Sequence, residues 1–149
     1  MEKTFHLSYI DKGTFLKGLL ILIAQDRQIS EHEKRLVMKA GKTLGFDKEF
    51  CEESIDQVLH NSNIKDEPPV FHDPDFAKSF IIDGLKFISK DSRYVKSNLY
   101  WLKETVLKNN LSLDWFEEQI LTHLKNKHEV PYENISFEIA HVLENSYSH

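Results

Sequence analysis

An internal repeat constrains this sequence more than any other feature. The segment 15–61, moved forward without a gap, lies on the segment 80–126. The identical pairs are Phe15/Phe80, Leu20/Leu85, Ile23/Ile88, Asp26/Asp91, Glu52/Glu117, Glu53/Glu118, Ile55/Ile120, Leu59/Leu124 and Asn61/Asn126. Roughly three identities are expected by chance at ordinary residue frequencies. The repeat predicts two related structural units and indicates no chemistry by itself.

Helix signals recur in the first unit, and almost nothing alternates as a strand does. An apolar face predicts a first helix from about Lys12 to Ala24. Ser30 and Glu33 have the spacing of a capping box at the start of the second helix. Gly45 is predicted to end that helix in the left-handed conformation, and Asp47 to begin the third.

Residues 62–73 are polar and contain Pro68 and Pro69, so they are predicted to form a linker. Helix starts follow at Pro74, after Ser112 and at Pro131. The prediction is one all-α domain, 1–149, with about seven helices in a single bundle. It comprises two pseudo-symmetric three-helix halves at about 12–61 and 74–126, with a closing helix at about 131–145.

The bulk composition excludes several classes of protein. The net charge of −5 argues against a nucleic-acid partner, because phosphate contacts require clustered Lys and Arg. The apolar run 19–24 is far shorter than the roughly 20 residues of a membrane span. The single cysteine, Cys51, permits no internal disulfide and indicates a reducing cytoplasm. Its alignment with Phe116 predicts a packing role.

The segment 19–46 carries a family resemblance. The pattern is an apolar helix ending in Ala-x-Asp-Gly, then Ile-Ser, a Glu three residues after the Ser, and a second helix ending in Leu-Gly-Leu. Arg27 stands in place of the Gly after the Asp, and the residues that match are Ala24, Asp26, Ile29, Ser30, Glu33, Leu44 and Gly45. This pattern resembles the TerB-like (tellurite-resistance protein B) family. The resemblance implies an all-helical bundle of about seven helices with two pseudo-symmetric halves. It also implies a metal-dependent stress response with acidic residues as the ion site.

The acidic residues Asp26, Glu33 and Asp91 are the candidate metal ligands. A pseudo-twofold relation between the halves places Asp26 near Asp91, and divalent cations such as Ca²⁺ favour clustered carboxylates. The alternative is structural, because Glu33 serves the capping box and Asp26 accepts amides in the following turn. Both interpretations stay open at the level of sequence.

No pattern in the sequence indicates catalysis. The eight histidines form no His-Glu-x-x-His motif, and no Gly-x-Ser-x-Gly or phosphate-binding glycine loop is present. We therefore predict that the chain is not an enzyme and uses no cofactor, a divalent cation being the one candidate ligand.

Aromatic residues suggest where the core and the partner surfaces lie. Trp101 and Trp115 align with apolar residues of the first half and are predicted to be core, whereas Tyr100 and Phe116 point elsewhere. The segment 68–71 is predicted to dock on the bundle, with an exposed recognition peptide as the alternative.

The predicted function is a non-enzymatic protein-interaction or stress-response sensor module that binds an unidentified protein. The alternative is a divalent-metal-binding stress protein that uses the acidic cluster.

Overall fold

The computed structural model describes residues 2–24, 28–61, 63, 66–88, 95–124 and 136–147, with the backbone alone for 2–7, 95 and 145–147. These residues form seven α-helices and no strand, which confirms the all-α prediction. The helices are α1 (Glu2–Ile23), α2 (Glu31–Thr43), α3 (Lys48–His60), α4 (Pro74–Ile88), α5 (Val95–Lys108), α6 (Leu113–Leu124) and α7 (Glu138–Tyr147). Within this described part, no helix has the length and apolar character needed to cross a membrane.

Helix ends that depend on nearby residues are confirmed. Asp47 accepts a hydrogen bond from the amide of Phe50 at 2.8 Å, which begins α3. Ser112 accepts one from the amide of Trp115 at 3.2 Å, which begins α6. Gly45 follows α2 with φ +92°, a backbone conformation that residues with a Cβ seldom adopt.

Two predicted helix starts are wrong. Helix α1 begins at Glu2, well before the predicted Lys12. Helix α7 begins at Glu138, and the two preceding residues, Ser136 and Phe137, are not helical. Pro131 itself is outside the described residues. The start of α7 is set by Asp83 of α4, whose carboxylate accepts the amides at that helix end, and not by a local sequence signal.

Helix α4 lies at the centre of the fold, in contact with α1, α5, α6 and α7, while α2 and α3 pack on α1. The largest fully buried side chains are aromatic, namely Phe15, Phe76 and Phe80. Helices α1 and α4 approach closely at Gly18, where a Cβ would lie 2.8 Å from the ring of Phe80. A glycine is therefore required at this crossing.

The linker docks on the bundle, as predicted for residues 68–71. The side chain of Asn109 donates to the carbonyl of Pro69 and accepts from the amide of Phe71, each at 2.8 Å. Phe71 is buried and Val70 is exposed. The indole nitrogen of Trp101 donates to the carbonyl of Asp66 at 2.9 Å. The linker backbone is thus held by side chains of α5 and the turn that follows it.

The aromatic predictions were partly right. Trp101 is buried and Tyr100 is exposed, as expected. On α6 the assignment was wrong, because Phe116 is buried in the core while Trp115 is only partly buried at its edge. The repeat itself holds here, because Cys51, which aligns with Phe116, is also buried, and Phe50, which aligns with Trp115, is partly exposed. The error was to assume that the apolar Phe50 marks a core position.

Candidate functional site

Of the predicted metal ligands, the structure describes Glu33 alone, and Asp26 and Asp91 lie outside the described residues. Glu33 accepts a hydrogen bond from the amide of Ser30 at 3.0 Å, and the Ser30 hydroxyl accepts one from the amide of Glu33 at 3.1 Å. This is the capping box predicted from the sequence. One carboxylate oxygen of Glu33 is therefore committed to the start of α2.

The described ranges contain no group of three or more His, Cys, Asp or Glu side chains able to hold a metal ion. Cys51 is buried against Gly41 of α2, and burial raises the pKa of its thiol, an effect reinforced by Asp47 and Glu52. A buried thiol with a raised pKa is a poor nucleophile. Its position confirms the packing role predicted for Cys51.

A buried aspartate that the sequence analysis missed lies on α1. Asp11 is fully buried and accepts the amides of His72 and Asp73, each at 2.9 Å. The imidazole Nδ1 of His72 lies 3.1 Å from the same carboxylate. Asp11 thereby fixes the backbone immediately before α4, and both of its oxygens are engaged in doing so.

Asp83 of α4 has the corresponding role at α7. It is fully buried and accepts the amides of Glu138 at 2.7 Å and Ile139 at 3.2 Å. Burial raises the pKa of Asp83 to about 7, although the two amide hydrogen bonds and the charge of Lys86 act in the opposite direction. Lys86 in turn donates to the carbonyl of Ser136 at 2.8 Å.

The carboxylate oxygens of these buried acids bond backbone amides at helix ends, so none of them is available to a substrate. Each carboxylate oxygen of Asp11 and Asp83 already accepts a backbone amide. Neither oxygen pair faces an open cavity in which a substrate could reach it, since both residues have no exposed surface. We therefore assign Asp11 and Asp83 to the architecture of the fold.

An accessible feature of the first half is a groove between α1 and α3 with a volume of about 230 Å³. Gly13, Leu16 and Leu20 of α1 and Phe50 and Val58 of α3 line it, and it is predominantly apolar. A Cβ on Gly13 would meet nothing within 4 Å. The absent side chain at Gly13 therefore leaves open space above the groove floor.

A row of three aromatic rings extends one end of the groove. Tyr9 and Phe46 meet edge to face with centroids 6.4 Å apart, and Phe46 stacks on Phe50 at 4.7 Å. Tyr9 is 60% exposed and Phe50 is 42% exposed, despite their large apolar surfaces. The three rings contact one another in edge-to-face and stacked geometries, which are favourable arrangements of aromatic side chains.

Acidic side chains border the groove on the outer side of α3. Glu52, Glu53 and Asp56 are exposed and line a shallow depression of about 440 Å³. That depression shares Phe50, Ser54 and Gln57 with the α1–α3 groove, so the two are continuous. We call Glu52, Glu53 and Asp56 the acidic rim.

The opposite end of the groove continues along α1 into a more polar hollow of about 470 Å³. Lys17 lines both, and Gly18, Ile21, Pro68 and Pro69 also line the hollow. The linker thus forms one wall of this continuation.

Sequence reasoning did not identify this surface. Phe50 aligns with Trp115, so an apolar match alone places both residues in the core. The available signal was the stripe of Tyr9, Gly13 and Lys17 at helical spacing on α1, in which one position has no side chain. Whether this stripe forms a groove depends on which side chains of α3 lie beside it.

Comparison of the chain with protein-family models, with curated proteins and with solved structures finds no match in any of the three. The candidate site therefore has to be interpreted from its own geometry.

Proposed function

We propose that this chain is a non-enzymatic protein-interaction module that binds its partner at the α1–α3 groove. The observation that carries the proposal is the row of contacting rings of Tyr9, Phe46 and Phe50 beside an apolar groove. Aromatic side chains are enriched in the buried centres of protein interfaces, where they contribute much of the binding energy. A partner that covers them removes apolar surface from water.

The absence of an enzymatic role is part of the proposal, and the use of the acids supports it. Glu33, Asp11 and Asp83 all accept backbone amides at helix ends. Catalytic carboxylates need an oxygen that faces the substrate. In the described residues these three acids serve the fold instead.

We also propose a TerB-like arrangement with two pseudo-symmetric halves. The sequence repeat supports it, as does the burial of the equivalent pairs Phe15/Phe80 and Leu20/Leu85. From the same family resemblance we also propose a role in a cytoplasmic stress response such as tellurite resistance.

A peptide-display library with no designed bias tests the interaction function. Selection on the wild-type chain should enrich peptides that lose binding when Gly13 is replaced by Trp, because the new ring fills the groove. Gly13→Ala is the matched control, since a methyl group leaves most of the groove open. Enrichment of no peptide that distinguishes wild type from Gly13→Trp would refute the proposal.

A further inference from the structure

The groove and the aromatic row together have the length of a short helix. Tyr9, Gly13 and Leu20 lie along one stripe of α1, which at 1.5 Å per residue from Tyr9 to Leu20 spans about 17 Å. A partner helix of three turns has about the same length. The missing side chain at Gly13 lets such a helix approach α1 near the middle of its length.

The walls of the groove favour a helix over an extended peptide. Both walls are helices, α1 and α3, whose backbone amides and carbonyls are paired within their own helices. They offer no free sheet edge, on which an extended peptide depends for main-chain hydrogen bonds. An amphipathic helix needs only an apolar surface for its apolar stripe, and the exposed ring of Phe50 offers one above the buried floor of Leu16 and Leu20.

The charges beside the groove determine the polar flank of that helix. The acidic rim and Glu49 place four exposed acids on α3, against the single exposed Lys48, whose ammonium lies 3.9 Å from Glu52. On the α1 side, Lys17 is exposed and lines the groove. The local balance is negative on the α3 side, so Lys and Arg on the partner's flank are favoured there.

A second copy of this chain fits the groove poorly. In a twofold dimer through this surface the same patch meets itself. The patch carries the acidic rim and Glu49 against Lys17 and Lys48, so two copies bring together surfaces of the same net sign, in a chain whose net charge is −5. Repulsion between the two negative patches disfavours this pairing.

We infer that the α1–α3 groove binds a basic amphipathic helix of about three turns, with its apolar stripe on Phe50 and the groove floor and its cationic flank along the acidic rim. This inference rests on the proposed function and adds the chemical class of the partner. The acidic rim makes the affinity dependent on salt, while the apolar stripe supplies the contact area.

A labelled synthetic peptide tests the inference by fluorescence anisotropy with the full chain. The probe carries Leu at helical i, i+3, i+4 and i+7 spacing and Lys on the flanks, and a second peptide has Glu in place of Lys. The basic peptide should bind at least about tenfold more tightly than the acidic one at low salt, and raising the salt should weaken it.

Variants locate the site and test the charge argument separately. Gly13→Trp should weaken the basic peptide at least about tenfold, with Gly13→Ala as control. Glu53→Lys should weaken it about two- to fivefold, the size expected of an exposed charge contact. Glu118→Lys, at the equivalent repeat position on α6, should leave the affinity unchanged. Lys17→Glu should strengthen binding by a similar factor.

Several outcomes would overturn the inference. The acidic peptide could bind as tightly as the basic one, or Gly13→Trp could leave the affinity for the basic peptide unchanged. Glu53→Lys and Glu118→Lys could weaken that affinity equally. Sedimentation could also show a wild-type dimer that Gly13→Trp dissociates. Unbiased selection separates this failure from that of the proposed function. Groove-dependent peptides without a basic amphipathic pattern refute the partner class alone, whereas a lack of groove-dependent peptides refutes both.

Discussion

The rings of Phe15 and Phe80 pack edge to face, with centroids 5.4 Å apart and planes at 87°. Both side chains are fully buried, and they occupy equivalent positions in the sequence repeat. Each half therefore buries its central aromatic ring against that of the other half. The core is shared across α1 and α4 and is not divided between two separate units.

Separated halves should therefore fail to fold. Expressed alone, residues 1–66 and 67–149 each leave Phe15 or Phe80 exposed and bury too little apolar surface for stability. We expect poorly dispersed amide signals in NMR spectra and no cooperative thermal transition for either fragment. Mixing the fragments is the control, because it should restore part of the native helicity. Two independently cooperative fragments would contradict a shared core.

Two glycines on α1 should respond in opposite ways to the same substitution. Gly18→Ala brings a Cβ to 2.8 Å from the buried ring of Phe80 and should destabilise the fold by about 1–3 kcal/mol. Gly13→Ala meets no atom within 4 Å and should stabilise α1 by about 0.5–1 kcal/mol through helix propensity. Urea unfolding of both variants measures the difference. Equal shifts of the two midpoints would disprove the close crossing of α1 and α4.

The capping box of α2 should contribute a measurable part of the stability. Ser30→Ala removes the acceptor for the Glu33 amide and should lower the free energy of unfolding by about 1 kcal/mol. Ser97→Ala, at an exposed serine of α5, serves as the control. An unfolding midpoint for Ser30→Ala equal to that of the wild type would show that the cap contributes nothing.

The sequence was sufficient where a helix end depends on neighbours in the chain. Ser30, Asp47 and Ser112 each bond an amide three residues away, so their spacing alone predicts the cap. Asp11 and Asp83 bond amides 61 and 55 residues away, so no local pattern reveals them. An acid within the apolar run of α4 was the available clue to Asp83, but its partners depend on the tertiary fold.

The groove was unpredictable for the same reason. Whether Phe50 is core or surface depends on how α3 is rotated against α1, and the repeat alignment paired it with Trp115 as an apolar residue. Sequence periodicity identifies an apolar face, but it does not show whether a neighbouring helix covers all of that face.

Stability should depend on pH through Asp83. Its pKa is raised by burial from an ordinary 3.8 to about 7, so the native state binds more protons than the unfolded state between about pH 4 and 7. The free energy of unfolding contributed by this group therefore falls as pH rises through that window and levels off above it.

Replacing Asp83 with Asn should abolish this contribution. Relative to wild type, Asp83→Asn should show a smaller loss of stability between pH 5 and pH 8 in urea titrations. Asp114→Asn, at an exposed acid of α6, should leave the wild-type slope unchanged. Identical slopes for wild type and Asp83→Asn would contradict the raised pKa of Asp83.

Metal binding at Asp26, Glu33 and Asp91 is the alternative function, and it makes a separate prediction. Because Glu33 already caps α2, we expect millimolar Ca²⁺ or Mn²⁺ to leave the melting temperature unchanged. An ion that bound the native state alone would raise it by mass action. Scanning calorimetry with and without each ion measures the effect. A rise that disappears in Asp26→Asn would establish the metal site instead.

The hydrogen bonds from Asp83 to α7 also bear on how the chain matures during synthesis. Translation delivers Asp83 some 55 residues before Glu138, a delay of several seconds at about 5–20 residues per second. Throughout that interval α4 carries an acid that faces a region still lacking its last helix. A chain that lacks Glu138 and Ile139 keeps this buried acid without its two amide donors, which lowers the stability of the fold.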